Sequence, residues 1–330
     1  MTQHRDTVDA WITKLRARNL EVDKSDEDVL KDLLTTLGLD RLGCFFRPFQ
    51  QEPLHSAGKF RRPTNFRKIL TVVQQEEKLK ELVLAGCTHV ELRLEYELVE
   101  AYRAQKHTEK FLNPKFYGTS KAKEDFIREW IADKGLGYEY NDDGEYLGLQ
   151  PYSFGQKVNL LVQTGFSELD SGARKAGIRV SDALGQPTSD PQGKRHQAIL
   201  TLAVDLHYVK GLRNIVSHNT VLWENKLENS KLPAALIKFH FISEISSSME
   251  AIEILTKVLD QMDKKTHAKP AGAIANSIRA LVGAPGLFVA GLENSAEEHL
   301  KKLEAEEDES VTVMPPDLGN TQSLDGGRQP

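Results

Sequence analysis

Cysteine is almost absent from this chain: Cys44 and Cys87 are the only two among 330 residues. They form no C-x-x-C pair and are too few for a disulfide framework or a cysteine-built zinc site, so both read as small buried apolar residues of a reducing compartment. Long apolar runs are missing too. None approaches the roughly 20 residues that cross a bilayer, and the opening MTQHRDTVDAW lacks the basic-then-apolar layout of a secretory signal. A cytoplasmic protein with no membrane partner is the expectation. Period-2 alternation is scarce, which argues against a sheet-built fold. There is no P-loop and no Mg²⁺-carboxylate motif, so nucleotide-transfer chemistry finds no support. His207 and His218 are not spaced as zinc ligands, and His89 and His240 lie on apolar helical patterns where a histidine is ordinarily a satisfied core residue. No metal and no cofactor are expected.

What is present is a hydrophobic fraction of 39% with a formal net charge of −5, enough apolar material for a sizeable core in one large domain or two modest ones. The net charge argues against a generic nucleic-acid coat, but it hides local contrast. Between residues 41 and 70 lie Arg41, Arg47, Lys59, Arg61, Arg62, Arg67 and Lys68 against the single acid Glu52, interleaved with Phe45, Phe46, Phe49, Phe60 and Phe66. Such a stretch suits an RNA backbone sliding over it; it equally suits a solvated face over a core of phenylalanines.

Apolar residues recur at helical spacing almost everywhere, which predicts an all-α protein, a helical bundle with additional N-terminal and C-terminal helices. Val8, Trp11, Ile12 and Leu15 form one stripe. Ser25 with Asp28 reads as a capping box ahead of a second, closed by Gly38. From Thr64 to Leu98 the pattern fits one bent helix or two in sequence. A helix is expected near Ser120, a loop or hairpin in GLGYEYNDDGEYLGLQP, and short helices in SFGQKVNLLV and SELDSGARKAG. A strongly apolar helix starts at about His196, and another long one starts near Pro233 and carries Leu236 through Leu259. Two weaker helices follow. The expected organisation is an N-terminal helical segment over 1–60, a core over 61–263, C-terminal helices over 264–307 and a polar, disordered tail over 308–330.

The helix from His196 ends in GLRNIVSHNTVLW, where Arg213, Asn214 and His218 stand among isoleucines and valines. On a helix Asn214 and His218 share a face, while Arg213 sits about 100° around from Asn214. One helix cannot focus all three on one atom, whereas two copies around a two-fold axis would surround a phosphodiester with two arginines and two histidines. The residue types suit RNA cleavage without metal. A histidine takes the 2′-hydroxyl proton or supplies one to the leaving 5′-oxygen, an arginine holds the charge that grows on phosphate, and Asn214 would orient either group. The bland reading is an arginine and a histidine that complement the dipole at a helix C-terminus.

The order Arg213-Asn214-x-x-x-His218 followed by Leu222-Trp223-x-Asn225 resembles the signature of the Abi-like (abortive infection, AbiD/AbiF-type) proteins of the HEPN superfamily. RLGCFFRPF, FRKILTVVQQEEKLKELVLAGCTHVELRLEYEL and LQPYSFGQKVNLL are similar to that family's upstream blocks, in the same order, over roughly residues 8 to 228. The chain departs from the pattern at Asn219, Val221 and Glu95, where the family carries histidine, arginine and arginine, with Arg93 close by in this chain. The resemblance implies a HEPN helical bundle, frequent dimerisation and, with Arg213 and His218 intact, a metal-independent endoribonuclease used in phage defence or as a toxin. Glu91, Tyr208 and Asn219 are candidate supporting residues. The expected partners are RNA, a second copy and an antitoxin. The alternative is a non-catalytic module that holds RNA, such as a cognate non-coding RNA, or a protein through the basic stretch.

Overall fold

Nine α-helices carry nearly all the regular structure among the described residues. The computed structural model describes residues 7–51, 58–60, 64–104, 152–167, 171–185, 193–219, 221–222, 247–266 and 269–282, all within one unit that spans Met1–Ala284. The helices are α1 (Val8–Ala17), α2 (Glu27–Thr36), α3 (Gly38–Phe46), α4 (Phe66–Ala104), α5 (Phe154–Phe166), α6 (Gly172–Leu184), α7 (Gly193–Ser217), α8 (Ser248–Thr266) and α9 (Lys269–Val282). The pattern from Thr64 to Leu98 therefore resolves as a single helix. The long helix expected from near Pro233 through Leu259 does not run unbroken, because α8 starts at Ser248, where Ser247 Oγ accepts from the Glu250 amide and caps it; the region near Pro233, the helix expected near Ser120, the GLGYEYNDDGEYLGLQP loop and the tail after 308 lie outside the described residues.

Side-chain caps set several helix starts. Thr7 Oγ1 accepts from the amide of Ala10, and Ser153 with Gln156 forms a reciprocal capping box on α5, each satisfying amides that the first turn leaves open. Ser171 Oγ accepts from Arg174 N–H at the start of α6. The capping box expected at Ser25 and Asp28 does not form. A 3₁₀ turn, Lys24–Asp26, precedes α2, and the Asp26 carboxylate accepts from Arg67 Nε at 2.7 Å, a partner remote in sequence that local spacing could not reveal. Gly38, at φ 76°, follows the C-terminus of α2 and turns the chain into α3.

The N-terminal helices bury Ile12, Leu15, Leu30, Leu34 and Leu42. A two-residue parallel ladder pairs Leu20 with Thr64 and Glu21 with Asn65, so the connection between α1 and α2 is tied to the chain that leads into α4. Phe45, Phe46, Phe60 and Phe66 are buried, and the Phe46 and Phe60 rings meet edge to face at 5.4 Å. These phenylalanines of the basic stretch are core residues and present no stacking surface.

The main bundle wraps α7, which packs on α4, α5, α6 and α8. Its residues Ile199, Leu200, Leu202, Ala203, Leu206, Val209 and Leu212 are all buried. The packing is closest where α6 crosses α5 and α7. At Gly177 an added Cβ would stand 2.8 Å from Thr164 Cβ and 3.0 Å from Ile199 Cδ1. Gly177→Ala is expected to lose about 1–3 kcal/mol of stability, read as a lowered thermal midpoint. Gly155→Ala, whose Cβ meets only Lys210 Cδ at 3.4 Å and atoms beyond, serves as the silent control.

Candidate functional site

Arg213 lies in the last turns of α7, where the buried stripe carries it to α4. Its Nε is 3.5 Å from Glu91 Oε2 on α4. The other Glu91 oxygen lies 3.3 Å from Lys157 Nζ on α5, and the same ammonium donates to Glu95 Oε2 at 2.8 Å. Four alternating charges thus run Glu95, Lys157, Glu91, Arg213. Lys157 is only 4% exposed, whereas Arg213 is 39% exposed. The lysine is a buried cation that requires both carboxylates, and the arginine is the end of the row that meets solvent. One turn back on α4, the Cys87 thiol is fully buried and donates to Val209 O at 3.7 Å. Burial pushes that thiol up to about 12, against the pull of the Arg213 charge.

α7 ends at Ser217. His218 is exposed in the turn that follows, and its amide still reaches Asn214 O at 2.9 Å. Asn214 is exposed as well, a turn back from His218. Asn219 takes φ 54°, a left-handed conformation that asparagine tolerates. Its Oδ1 accepts from Arg41 on α3 and, at 3.3 Å, from Lys80 on α4. Three residues on, Leu222 N–H donates to Glu76 Oε1 at 2.8 Å. Glu76 is completely buried; burial pushes its carboxyl up, against the pull of the Leu222 amide and of Lys80. Lys80 pairs with both Glu76 and Glu77, at 3.3 and 3.2 Å, and Arg41 lies 3.7 Å from Glu77.

The remaining candidates fall elsewhere. Tyr208 is buried with its ring edge-on to His207. Arg67 is tied to Asp26. Arg47, Lys59 and Lys68 are exposed, and Arg61 and Arg62 lie outside the described residues. The structure thus brings Arg213 to Glu91 and Arg41 to Asn219. It adds Lys157, Glu95, Glu76, Glu77 and Lys80, which the sequence reading passed over as site residues. A lysine inside the apolar run SFGQKVNLLV and a Glu–Lys pair four apart on the inner face of α4 were the available signals.

Residues 32–147 match the Abi-like protein family. The match takes in about a third of the chain, covering the second half of α2 and the whole of α3 and α4, and it ends ahead of α5 and α7. It therefore supports an Abi-like origin for the half of the site that α4 supplies: Glu76, Lys80, Glu91 and Glu95. No curated protein and no solved structure gives a match. Among the described residues no helix is long and apolar enough to cross a membrane, and no cluster of three or more His, Cys, Asp or Glu residues is placed to hold a metal ion.

Further back on α7 two titratable groups sit in less polar surroundings. Burial, reinforced by the charge of Lys210, drops His207 to about 4, so it is neutral at pH 7. Asp205 lines a cleft of about 380 Å³ with Leu184, Leu202, Lys257 and Val258, and burial lifts its carboxyl from 3.8 to about 6, against the pull of Lys257. A carboxyl with a raised folded value favours the fold fully below pH 3.8; that benefit is lost as pH rises through about 6, leaving a constant penalty above it. Asp205→Asn is therefore expected to gain on the order of 2–3 kcal/mol at pH 7.5 and nothing at pH 3.5, as measured by denaturant melts at the two pH values. An equal gain at both would contradict the assignment.

Proposed function

We propose that this chain is a metal-independent endoribonuclease of the HEPN type, acting in abortive-infection phage defence or as a toxin. The observation that carries the reading is the engagement of Arg213 by one edge only. Glu91 holds Nε, and among the described residues the terminal nitrogens have no hydrogen-bond partner. A guanidinium fixed in this way keeps its paired terminal N–H groups for two phosphate oxygens. The exposed imidazole of His218 follows within one and a half turns.

In the proposed reaction one imidazole takes the 2′-hydroxyl proton as the 2′-oxygen attacks phosphorus. The bond from phosphorus to the 5′-oxygen breaks, and a second imidazole gives its proton to that oxygen. The products are a 2′,3′-cyclic phosphate and a 5′-hydroxyl. Arg213 stabilises the charge on the equatorial oxygens, and Asn214 orients the base or the RNA. Two imidazoles call for two copies of the chain. The face for the second copy is the row Leu84, Thr88, Leu92 and Tyr96 on α4, four apart and flanking Glu91; Leu92 and Tyr96 are 59% and 53% exposed. A cytoplasmic setting and an antitoxin that holds the site idle complete the proposal.

The alternative, a module that binds RNA without cutting it, draws on the basic stretch. Arg41 is engaged inside the fold, and the exposed cations of that stretch among the described residues are Arg47, Lys59, Lys68 and Arg67, the last of them paired with Asp26. This reading is the weaker one.

Arg213→Ala and His218→Ala are each expected to lower RNA cleavage by about 100-fold or more while the protein stays folded and dimeric; a chelator should change nothing. The double change Leu92→Asp with Tyr96→Asp should give monomers on sedimentation and abolish cleavage. RNA left intact by the wild type, alone and with extract of infected cells, would remove the main support for the nuclease.

A further inference from the structure

The turn that carries His218 is gripped from outside its own helix. Asn219 is held through its side chain by Lys80 and Arg41, and Leu222 is held through its amide by Glu76. Val221 and Leu222 are buried between these points. Two acids and two bases form the grip, Glu76 and Glu77 with Lys80 and Arg41, drawn from α3 and α4. Glu76 Oε2 is buried with no hydrogen-bond partner among the described residues. Leaving a buried carboxylate oxygen unsatisfied is costly, so an apolar residue at position 76 would pack there at lower cost. What an apolar residue would not supply is an acceptor for the Leu222 amide.

We propose that Glu76, Lys80, Arg41 and Asn219 form a clamp whose role is to position the His218 turn for reaction. These are positioning residues: they act on His218 through the backbone that follows it. The assignment rests on the nuclease reading above, and it moves Arg41 from an RNA-contacting face to the interior of the site. α7 ends at Ser217, and from the helix side the turn is held by two backbone hydrogen bonds, His218 N–H to Asn214 O and Asn219 N–H to Val216 O, both 2.9 Å. These amides fix neither the Asn219 side chain nor the chain beyond it, which the contacts from α3 and α4 hold. An imidazole that must meet a ribose hydroxyl within hydrogen-bond reach loses about 100-fold in rate for a misplacement near 1 Å. The clamp adds a side-chain hold at the first residue after His218 and a backbone hold at the fourth.

The test uses the full chain and three variants. Glu76→Ala removes the acceptor, Glu76→Gln keeps an acceptor and drops the charge, and Asn219→Gly keeps the left-handed backbone while releasing Arg41 and Lys80. Asn219 is exposed, so this last variant folds even where Glu76→Ala does not. Hydrogen exchange of the peptide over 218–222 is compared with that of α8, alongside single-turnover and steady-state cleavage of RNA. For Glu76→Ala and Asn219→Gly the expected result is exchange faster by about ten-fold or more in 218–222 with α8 unchanged. It is accompanied by a fall in kcat of about 10- to 100-fold with KM nearly constant. Glu76→Gln should recover most of both. Unchanged exchange overturns the clamp, and faster exchange with wild-type kcat overturns its role in positioning. A wild type that shows the exchange contrast but cuts no RNA overturns the nuclease reading and, with it, the positioning role, leaving the clamp a purely structural device.

Discussion

The carboxylate of Glu91 is the point on which this site turns. One of its oxygens lies against a lysine that is almost wholly buried and the other against an arginine at the surface. A lysine in that position cannot give up its partners without leaving a bare charge in the core. Glu91 is thereby fixed from behind, and Arg213 is fixed by Glu91. The order of the row decides its use: had Lys157 and Arg213 exchanged places, the ammonium would meet solvent and the planar fork would be spent inside.

α4 makes this possible because it is long. Its 39 residues place Glu76, Glu77 and Lys80 in one half and Glu91 and Glu95 in the other, and α7 lies against it with the motif at its end. The same helix therefore holds the turn after His218 and the guanidinium of Arg213, five residues apart in sequence. Cys87, between the two, packs under Val209. A rigid strut that reaches both groups sets their separation, which neither group could do from α7 alone.

The helical character of the chain was legible because apolar spacing is local: a stripe repeats every three or four residues wherever a helix buries one face. Gly38 could be read as a helix stop for the same reason. The misread capping box at Ser25 and Asp28 shows the limit, since the Asp26 side chain is claimed by Arg67, which lies beyond any local window. The site divides in the same way. Arg213, Asn214 and His218 stand out as polar residues on an apolar helix, and Glu91 stands out as a carboxylate on the long helix that could meet an arginine. Lys157 and Glu76 stand out less, because what marks them is burial against partners 62 to 146 residues away, two carboxylates for Lys157 and the Leu222 amide for Glu76. The basic stretch was ambiguous for a related reason. Charge count does not distinguish Arg41, which is drawn into the fold, or Arg67, which stays exposed while it pairs with Asp26, from Lys59 and Lys68 at the surface.

An Abi-like match over 32–147 and a charge row that presents one arginine to solvent meet on α4. The reaction proposed for this site is phosphodiester cleavage by guanidinium and imidazole. The chemical identity of the cut RNA ends tests that account most directly. The account predicts 2′,3′-cyclic phosphate at the upstream end and a free 5′-hydroxyl at the downstream end. Ends bearing a 3′-hydroxyl and a 5′-phosphate would mean attack by water rather than by the ribose, and would contradict it.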